Sequence, residues 1–386
     1  MQTDTHAMND LGAFSTPIST FSKTPPPARA PFIGVDLEGF HREIRDLRTK
    51  LEEGLGDEDL QHLYKIERWG KIATAIGMAT AWMGPNLISA LGLGLGRSTR
   101  WILMHHVGHR GYDKVPGTPA RYTSKVFARG SRRYLDWADW MIPEAWIYEH
   151  NILHHSHTGE AQDPDLVERN SVPLRDPKIP KAVRYGFVAF MAATWKASYY
   201  APNTLREWTH RGKPPLPNGE DYPVPKGELF AKCYLPYAAL QFIGLPLVFS
   251  PLGPLAVASA FTNSVMAEII TNAHTFVVVG PNHSGDDLWR FSDKSKTRAE
   301  HLARQVVGTV NFPTGTDLVD YGHLWLNYQI EHHLFPDMPM KKYQEAQPAV
   351  KAICEKYGIM YKQENVFKRV KKLVDIMVGN AKMKSA

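Results

Sequence analysis

From Ile72 to Gly96 the chain carries no ionisable side chain, and a second apolar block runs from Cys233 to Ala267. About 20 apolar residues cross a hydrocarbon core of roughly 30 Å, and the backbone there must satisfy its own hydrogen bonds, so blocks of this length restrict the fold to helices in a bilayer. Gly84-Pro85-Asn86 interrupts the first block, and a turn there predicts two helices, Tyr64 to Met83 and Leu87 to His109. Lys65, Arg68 and Lys71 precede the block while Arg97 and Arg100 follow it, which puts both outer ends on the cytoplasmic side. The second block is too long for one crossing and divides at Ser250-Pro251-Leu252-Gly253-Pro254. Two hairpins make about four transmembrane helices in an all-α integral membrane protein. An even number of crossings returns the chain to the side it left, so His105 and the residues near His274 and His332 share one face.

The remaining segments fit around this frame. Residues 1–31 are rich in Ser, Thr and Pro and read as a flexible tail, 32–63 as a cytosolic helical segment, 64–345 as the membrane catalytic domain, and 346–386 as a basic helical segment. Arg132 to Tyr148, with Trp137, Trp140 and Trp146, and Tyr185 to Tyr200 are expected as interfacial helices, since Trp and Tyr rings favour that zone. The Pro-rich run Lys213 to Lys226 reads as an exposed loop. The net charge of +6 comes with no nucleic-acid-binding motif, which excludes nucleic acid as a partner and favours a membrane or a protein. Cys233 and Cys354 lie far apart, so neither a disulfide framework nor a thiolate metal site is expected.

Metal chemistry must then use imidazole. Of seventeen histidines, eleven fall in or beside four short stretches. His105 and His109 are four apart, which on a helix is one face; His106 is an ambiguous neighbour. His150, His154 and His155 repeat that spacing and add an adjacent ring about 100° further round. His332 and His333 form a third pair, with Gln329 on the same helical face, and His274 sits near the expected end of the last apolar helix. Any one such stretch is commonly a solvated or hydrogen-bonded histidine. Their joint placement on one face is not explained that way. Eight imidazoles, from His105, His109, His150, His154, His155, His274, His332 and His333, exceed the three protein ligands usual for a catalytic zinc and suit a cage for two metal ions. His157 and His323 are alternative ligands or supporting partners. Glu268, a carboxylate within an apolar helix, is a candidate for orienting a ligating imidazole. His6, His41, His62, His210, His283 and His301 stand alone and read as surface residues.

The three stretches His105-His106-Val107-Gly108-His109, His150-Asn151-Ile152-Leu153-His154-His155 and Gln329-Ile330-Glu331-His332-His333-Leu334-Phe335-Pro336 resemble the histidine boxes of membrane fatty acid desaturases, over roughly residues 60–345. Asp163-Pro164-Asp165 is also similar to that family, and Gln329 resembles its front-end branch. The resemblance implies four membrane helices beneath a cytosolic helical cap. It also implies two iron ions that use O2 as co-substrate to remove two hydrogens from an acyl chain, with the eight histidines named above as ligands. The apolar helices around Leu87 to Met104 and Leu235 to Thr262 are expected to line an acyl tunnel. Front-end relatives often carry a fused cytochrome b5 with an HPGG motif. None occurs here, so electrons are expected from a separate donor such as a ferredoxin or cytochrome b5. The doubled His105-His106 departs from the usual box and leaves its register open. A hydroxylase or decarboxylase on the same cage is the runner-up reading, and a membrane metal transporter or store is the alternative from another class.

Overall fold

A computed structural model of the chain describes residues 30–214, 216 and 221–386. The expected tail at 1–31 lies almost wholly outside the described residues, as do His6 and part of the Pro-rich loop. Helix α1 (Leu37–Glu53) starts where the Asp36 carboxylate accepts from the Gly39 N–H at 2.9 Å, and it buries Phe40, Ile44 and Leu51 on one face. Next come α2 (Asp57–Thr80) and α3 (Leu87–Gly108), antiparallel partners joined by the turn that contains Gly84 and Pro85. Further on, α4 winds through Pro143–Trp146, Ile147–His154 and His155–His157, and α5 (Lys181–Trp195) runs on through Lys196–Tyr200. Helices α6 (Lys226–Leu252) and α7 (Pro254–Val279) form the second hairpin, turning at Gly253 with φ 95°. The end of the molecule that carries the histidines is built from α1 with α8 (Arg298–Val307), α9 (Gln329–Leu334), α10 (Met340–Tyr357) and α11 (Val366–Val378). A two-residue parallel pairing of Trp289–Arg290 with Lys384–Ser385 ties down the C-terminus.

Helices α2 and α3 approach closely because glycines face each other across the contact. A Cβ on Gly92 would meet the Ala73 carbonyl at 2.6 Å and the Gly77 nitrogen at 2.8 Å. The hairpin's turn is closed from α7. Asn263 donates to the carbonyls of Ala81 and Gly84, at 2.9 and 3.0 Å, and its own carbonyl accepts from the Asn86 N–H at 2.8 Å. These bonds satisfy backbone groups that an apolar surrounding could not.

One helix among the described residues, Lys226–Leu252, is long and apolar enough to cross a membrane, where sequence reading expected about four. The difference has a physical source. Helices α2, α3 and α7 have the length, at 24, 22 and 26 residues, but α3 and α7 turn polar groups toward each other. Arg97 of α3 donates to Glu268 at 3.1 Å, to the Ser264 carbonyl at 2.9 Å and to Gln241 of α6 at 3.0 Å. Trp140 and Asn272 donate to the other Glu268 oxygen, each at 2.7 Å, and Tyr237 bonds to the first. A buried ion pair of this kind is tolerated because every polar atom finds a partner, and losing one partner costs about 3–5 kcal/mol. The outward faces stay apolar, with Ile72, Leu87, Leu91, Ile243 and Leu255 exposed. The expected interfacial tryptophan helix is corrected: Trp137 and Trp146 are 1% exposed and pack ring against ring inside the core.

Gly92→Val is expected to force α2 from α3 and lower stability by about 1–3 kcal/mol, whereas Gly186→Ala, at a helical site with nothing within 4 Å, raises it by about 0.5–1 kcal/mol through helix propensity. Thermal unfolding of the detergent-solubilised protein checks this; equal midpoints for the two variants would contradict the close packing.

Candidate metal centre

Four elements deliver the imidazoles. His105 and His106 occupy the last turn of α3, and His109 caps it. In α4 the segment Ile147–His154 is a π-helix, and the His155 N–H donates to the His150 carbonyl five residues back. The wider turn lets His154 and His155 both reach His150, whose ring centroid is 5.0 Å from that of His155 and 5.2 Å from that of His154, while the rings of His154 and His155 still stand 81° apart. Helix α9 brings His332 and His333, and the short turn Gly280–His283 after α7 brings His283. Helix α9 is fixed from behind, where Glu331 accepts from Asn311 and from Tyr361, each at 2.8 Å. Burial pushes the Glu331 carboxyl up to about 7 even though these bonds pull it down.

Two groups form. The ligand atoms of His105, His109, His150 and His332 lie within 4.8 Å of one another, as do those of His154, His283 and His333. His155 stands between the groups, with its Nε2 3.1 Å from His332 Nε2 and its ring stacked on His333 at 4.3 Å. His105 Nε2 is 2.9 Å from His332 Nε2. Outer ring nitrogens are held by the protein: His154 Nδ1 by Asp163 at 2.9 Å, His332 Nδ1 by the Tyr343 hydroxyl at 3.1 Å, and His333 Nδ1 by the Gln305 carbonyl at 2.7 Å. Such partners set the tautomer and leave the Nε2 lone pairs facing inward. Burial, reinforced by neighbouring imidazoles, lowers His150, His155, His332 and His333 well below the ordinary imidazole value. Burial opposes the His154 cation too, yet the charge and hydrogen bond of Asp163 raise this imidazole above its ordinary value. Asp163 itself stays below the usual carboxylate range, because His154 and two backbone N–H groups outweigh the cost of its burial.

The donor set fits a metal. Both ring nitrogens of His150 and the Nδ1 atoms of His105 and His155 are buried with no hydrogen-bond partner, and unpaired buried polar atoms are costly. His332 Nε2 has two Nε2 neighbours, at 2.9 and 3.1 Å; a proton can bridge one such pair, whereas a cation among them would accept all three lone pairs. Gln329 joins the second group, its amide 3.2 Å from His283 Nε2 and 3.3 Å from His333 Nε2.

Other expected residues fall elsewhere. His274 lies outside both groups, with its nitrogens at Ser98 Oγ (3.1 Å) and the Gly322 carbonyl (2.8 Å). Helix α7 continues five residues beyond His274 to Val279, so the histidine that reaches the centre from this helix end is His283. The reading of His283 as a surface residue is corrected, and so are those of His62 and His301, 5% and 6% exposed. His106 is fully buried against His332 and Tyr343 but belongs to neither group. His157 bonds Glu160 at 3.0 Å, and His323 bonds the Val319 carbonyl at 2.9 Å. Glu268 contacts no imidazole of the centre; the carboxylate that orients one is Asp163. The signal for Asp163 was its place just after the second histidine stretch. His283 gave none at helical spacing.

A cavity of about 540 Å³ opens from the centre, with His105, His150, His154 and His283 at its inner end and Trp101, Phe187, Trp195, Tyr200 and Phe276 along its walls. Its lining comes from α3, α4, α5, α7, α9 and α11 and from the segment 165–179, and α6 contributes none of it, contrary to the tunnel expected around Leu235 to Thr262.

A helical chain with a group of buried imidazoles at one end of an apolar cavity has the donor set to coordinate metal ions through histidine. Residues 80–365 match the fatty acid desaturase family model, and the chain belongs to that family. It is 24% identical over 341 residues to the NADPH-dependent stearoyl-CoA 9-desaturase of Mycobacterium tuberculosis, covering 84% of this chain and 75% of that one. It is 25% identical over 359 residues to the sn-1 linoleoyl-lipid 6-desaturase of Arthrospira platensis, covering 85% and 89%. Against fatty acid desaturase 3 of Bos taurus the identity is 24% over 289 residues, covering 74% of this chain and 59% of the relative. The protein is an oxidoreductase of the fatty-acyl desaturase type.

Two outcomes follow from the geometry. Asp163→Asn removes the carboxylate behind His154, and metal affinity is expected to fall about 10–100-fold in a chelator-competition assay. In the metal-free protein the four lowered imidazoles refuse protons that the unfolded chain accepts below pH 6.5. The unfolded state then binds more protons, so stability is full above that pH and drops on acidification by on the order of 1 kcal/mol per imidazole per pH unit. Glu331, raised to about 7, Asp165, raised to about 6, and the raised His154 and Glu149 act in the opposite direction, but burial also lowers His62, His283 and His301, so the lowered imidazoles outnumber them. Thermal midpoints at pH 7.5 and 5.5 check the sign, and a higher midpoint at pH 5.5 would contradict it.

Proposed function

We propose that this protein introduces a double bond into a fatty acyl chain, using O2 and external electrons at a centre of two irons. The observation that supports this best is the pair of imidazole groups at the closed end of an apolar cavity, which puts metal ligands where an unactivated methylene can sit. His105, His109, His150 and His332 would hold one ion, His154, His283 and His333 with Gln329 the other, and His155 stands where it can serve either. Bound iron supplies the redox and oxygen-activating chemistry. Overall, two hydrogens from adjacent carbons, two electrons from the donor and two protons reduce O2 to two waters.

The residues of the chain do the positioning. Trp101, Trp195, Tyr200 and Phe276 exclude water and fix one segment of the acyl chain beneath His105 and His150, and that placement selects the bond. The relatives named above act on stearoyl-CoA and on a linoleoyl lipid, which supports an acyl substrate here. Helices α2, α3, α6 and α7 are proposed to span the membrane with the histidines on the cytosolic side, in keeping with Lys65, Arg68, Lys71 and Arg100 around the first hairpin. A ferredoxin or cytochrome b5 is the proposed donor.

Expressed in a host without desaturases, the protein is expected to yield fatty acids two mass units lighter than their precursors. His154→Ala and His332→Ala abolish that product and lower the iron bound per chain. Full iron content and full product in either variant would overturn the assignment, and products sixteen units heavier would point to hydroxylation.

A further inference from the structure

The cavity meets the surface at one wall of α5. Val183 and Phe187 line the cavity, yet they are 56% and 45% exposed on its outside, so the wall there is one side chain thick. Met377 of α11, half-buried, also lines the cavity, and Leu373, 1% exposed, lines it deeper inside. The outer face of α5 is apolar along this stretch, with Ala182, Val183, Tyr185, Phe187, Ala189 and Phe190 all exposed. Arg184, the one charged residue among them, turns inward. It donates to the carbonyls of Val378, Asp176 and Ile179, each at 2.9 Å, and thereby pins α5 to the end of α11.

An apolar face of this extent is unfavourable in water and marks contact with a partner or a bilayer. Helix α5 is not isolated from the apolar belt of α6 and α7. Trp195 donates to Thr275 of α7 at 2.9 Å, and the Lys196 N–H donates to Asn272 at 3.0 Å, so α5 lies along α7, whose Phe261 and Ile269 are also exposed. Beyond the N-terminal end of α5 a surface groove shares Pro173 with the cavity lining. Its lining holds four cationic side chains, Arg169, Arg175, Arg290 and Lys382, against two acidic ones, Glu168 and Asp176. Glu168 pairs with Arg175 at 3.3 Å and with Arg290 at 2.7 Å, which leaves the groove net positive beside the thin wall.

We propose that the acyl chain enters sideways, between Val183 and Phe187 of α5 and Met377 of α11, and passes Leu373 inside, while still esterified to a bilayer lipid whose phosphate headgroup rests against the basic groove. The proposal rests on the desaturase reading above and adds the carrier. A water-soluble thioester would have to approach through the polar side. A lipid chain finds hydrocarbon continuous with the cavity, and an anionic headgroup finds complementary charge next to the opening.

The test is a pulse of deuterated stearate to a desaturase-free host expressing the full chain, with label followed by mass spectrometry in acyl thioesters and in intact phospholipids. The expected result is that unsaturated label appears in phospholipids without an unsaturated thioester precursor, and keeps forming after the labelled thioester pool has been chased out. Val183→Trp, which fills the gap, lowers conversion about tenfold or more with iron per chain unchanged, whereas Leu255→Trp at the far exposed end of α7 does not. Unsaturated thioester appearing first would overturn lateral admission while leaving desaturation intact. Absence of unsaturated label from both pools with iron bound would overturn the desaturase reading instead. If Val183→Trp loses its iron, the order of labelling in the unaltered protein decides alone.

Discussion

The structure depends on burying a set of neutral imidazoles so close together that their lone pairs converge. His105, His332 and His155 bring Nε2 atoms to 2.9 and 3.1 Å of one another without a carboxylate among them. Bringing them together costs desolvation, which a proton shared between one pair of Nε2 atoms offsets in part and a bound cation, taking all three lone pairs, offsets further. The surrounding fold is arranged to hold that contact. Asp163, Tyr343 and Gln305 grip the outer nitrogens, Asn311 and Tyr361 hold α9 through Glu331, and the π-turns of α4 bring His155 round beside His150.

The second constraint is the polar seam between α3, α6 and α7. Arg97 and Glu268 cross-link three helices deep in the bundle, and with Asn263 they satisfy the turn and the helix contacts that carry α3 up to His105. A seam of this kind trades apolar composition for register. It fixes how far α3 and α7 project, and so where His105 and His283 meet. The cavity then follows from the packing of α5 and α11 over the end of α7.

Much of this was legible from local spacing. HxxxH and paired histidines are properties of one or two helical turns, and the alternation of apolar blocks with turn residues at Gly84-Pro85-Asn86 and Ser250 to Pro254 marks both hairpins. What spacing could not show depends on lengths and long-range packing. His283 has no partner at helical spacing, and its role follows from α7 extending to Val279; with α7 taken to end near His274, the wrong histidine stood at the helix end. Glu268 read as a partner for an imidazole because an intramembrane acid needs one, but its partner is Arg97, 171 positions earlier in sequence. The tryptophans of 137–146 matched an interfacial pattern equally well as a core one, and burial decided between them.

The most direct test of the central claim is anomalous scattering at the iron edge from crystals of the protein purified with its metal. Two peaks are predicted, one among His105, His109, His150 and His332 and the other among His154, His283 and His333, with none at His274. A single peak, or one at His274, would contradict the account.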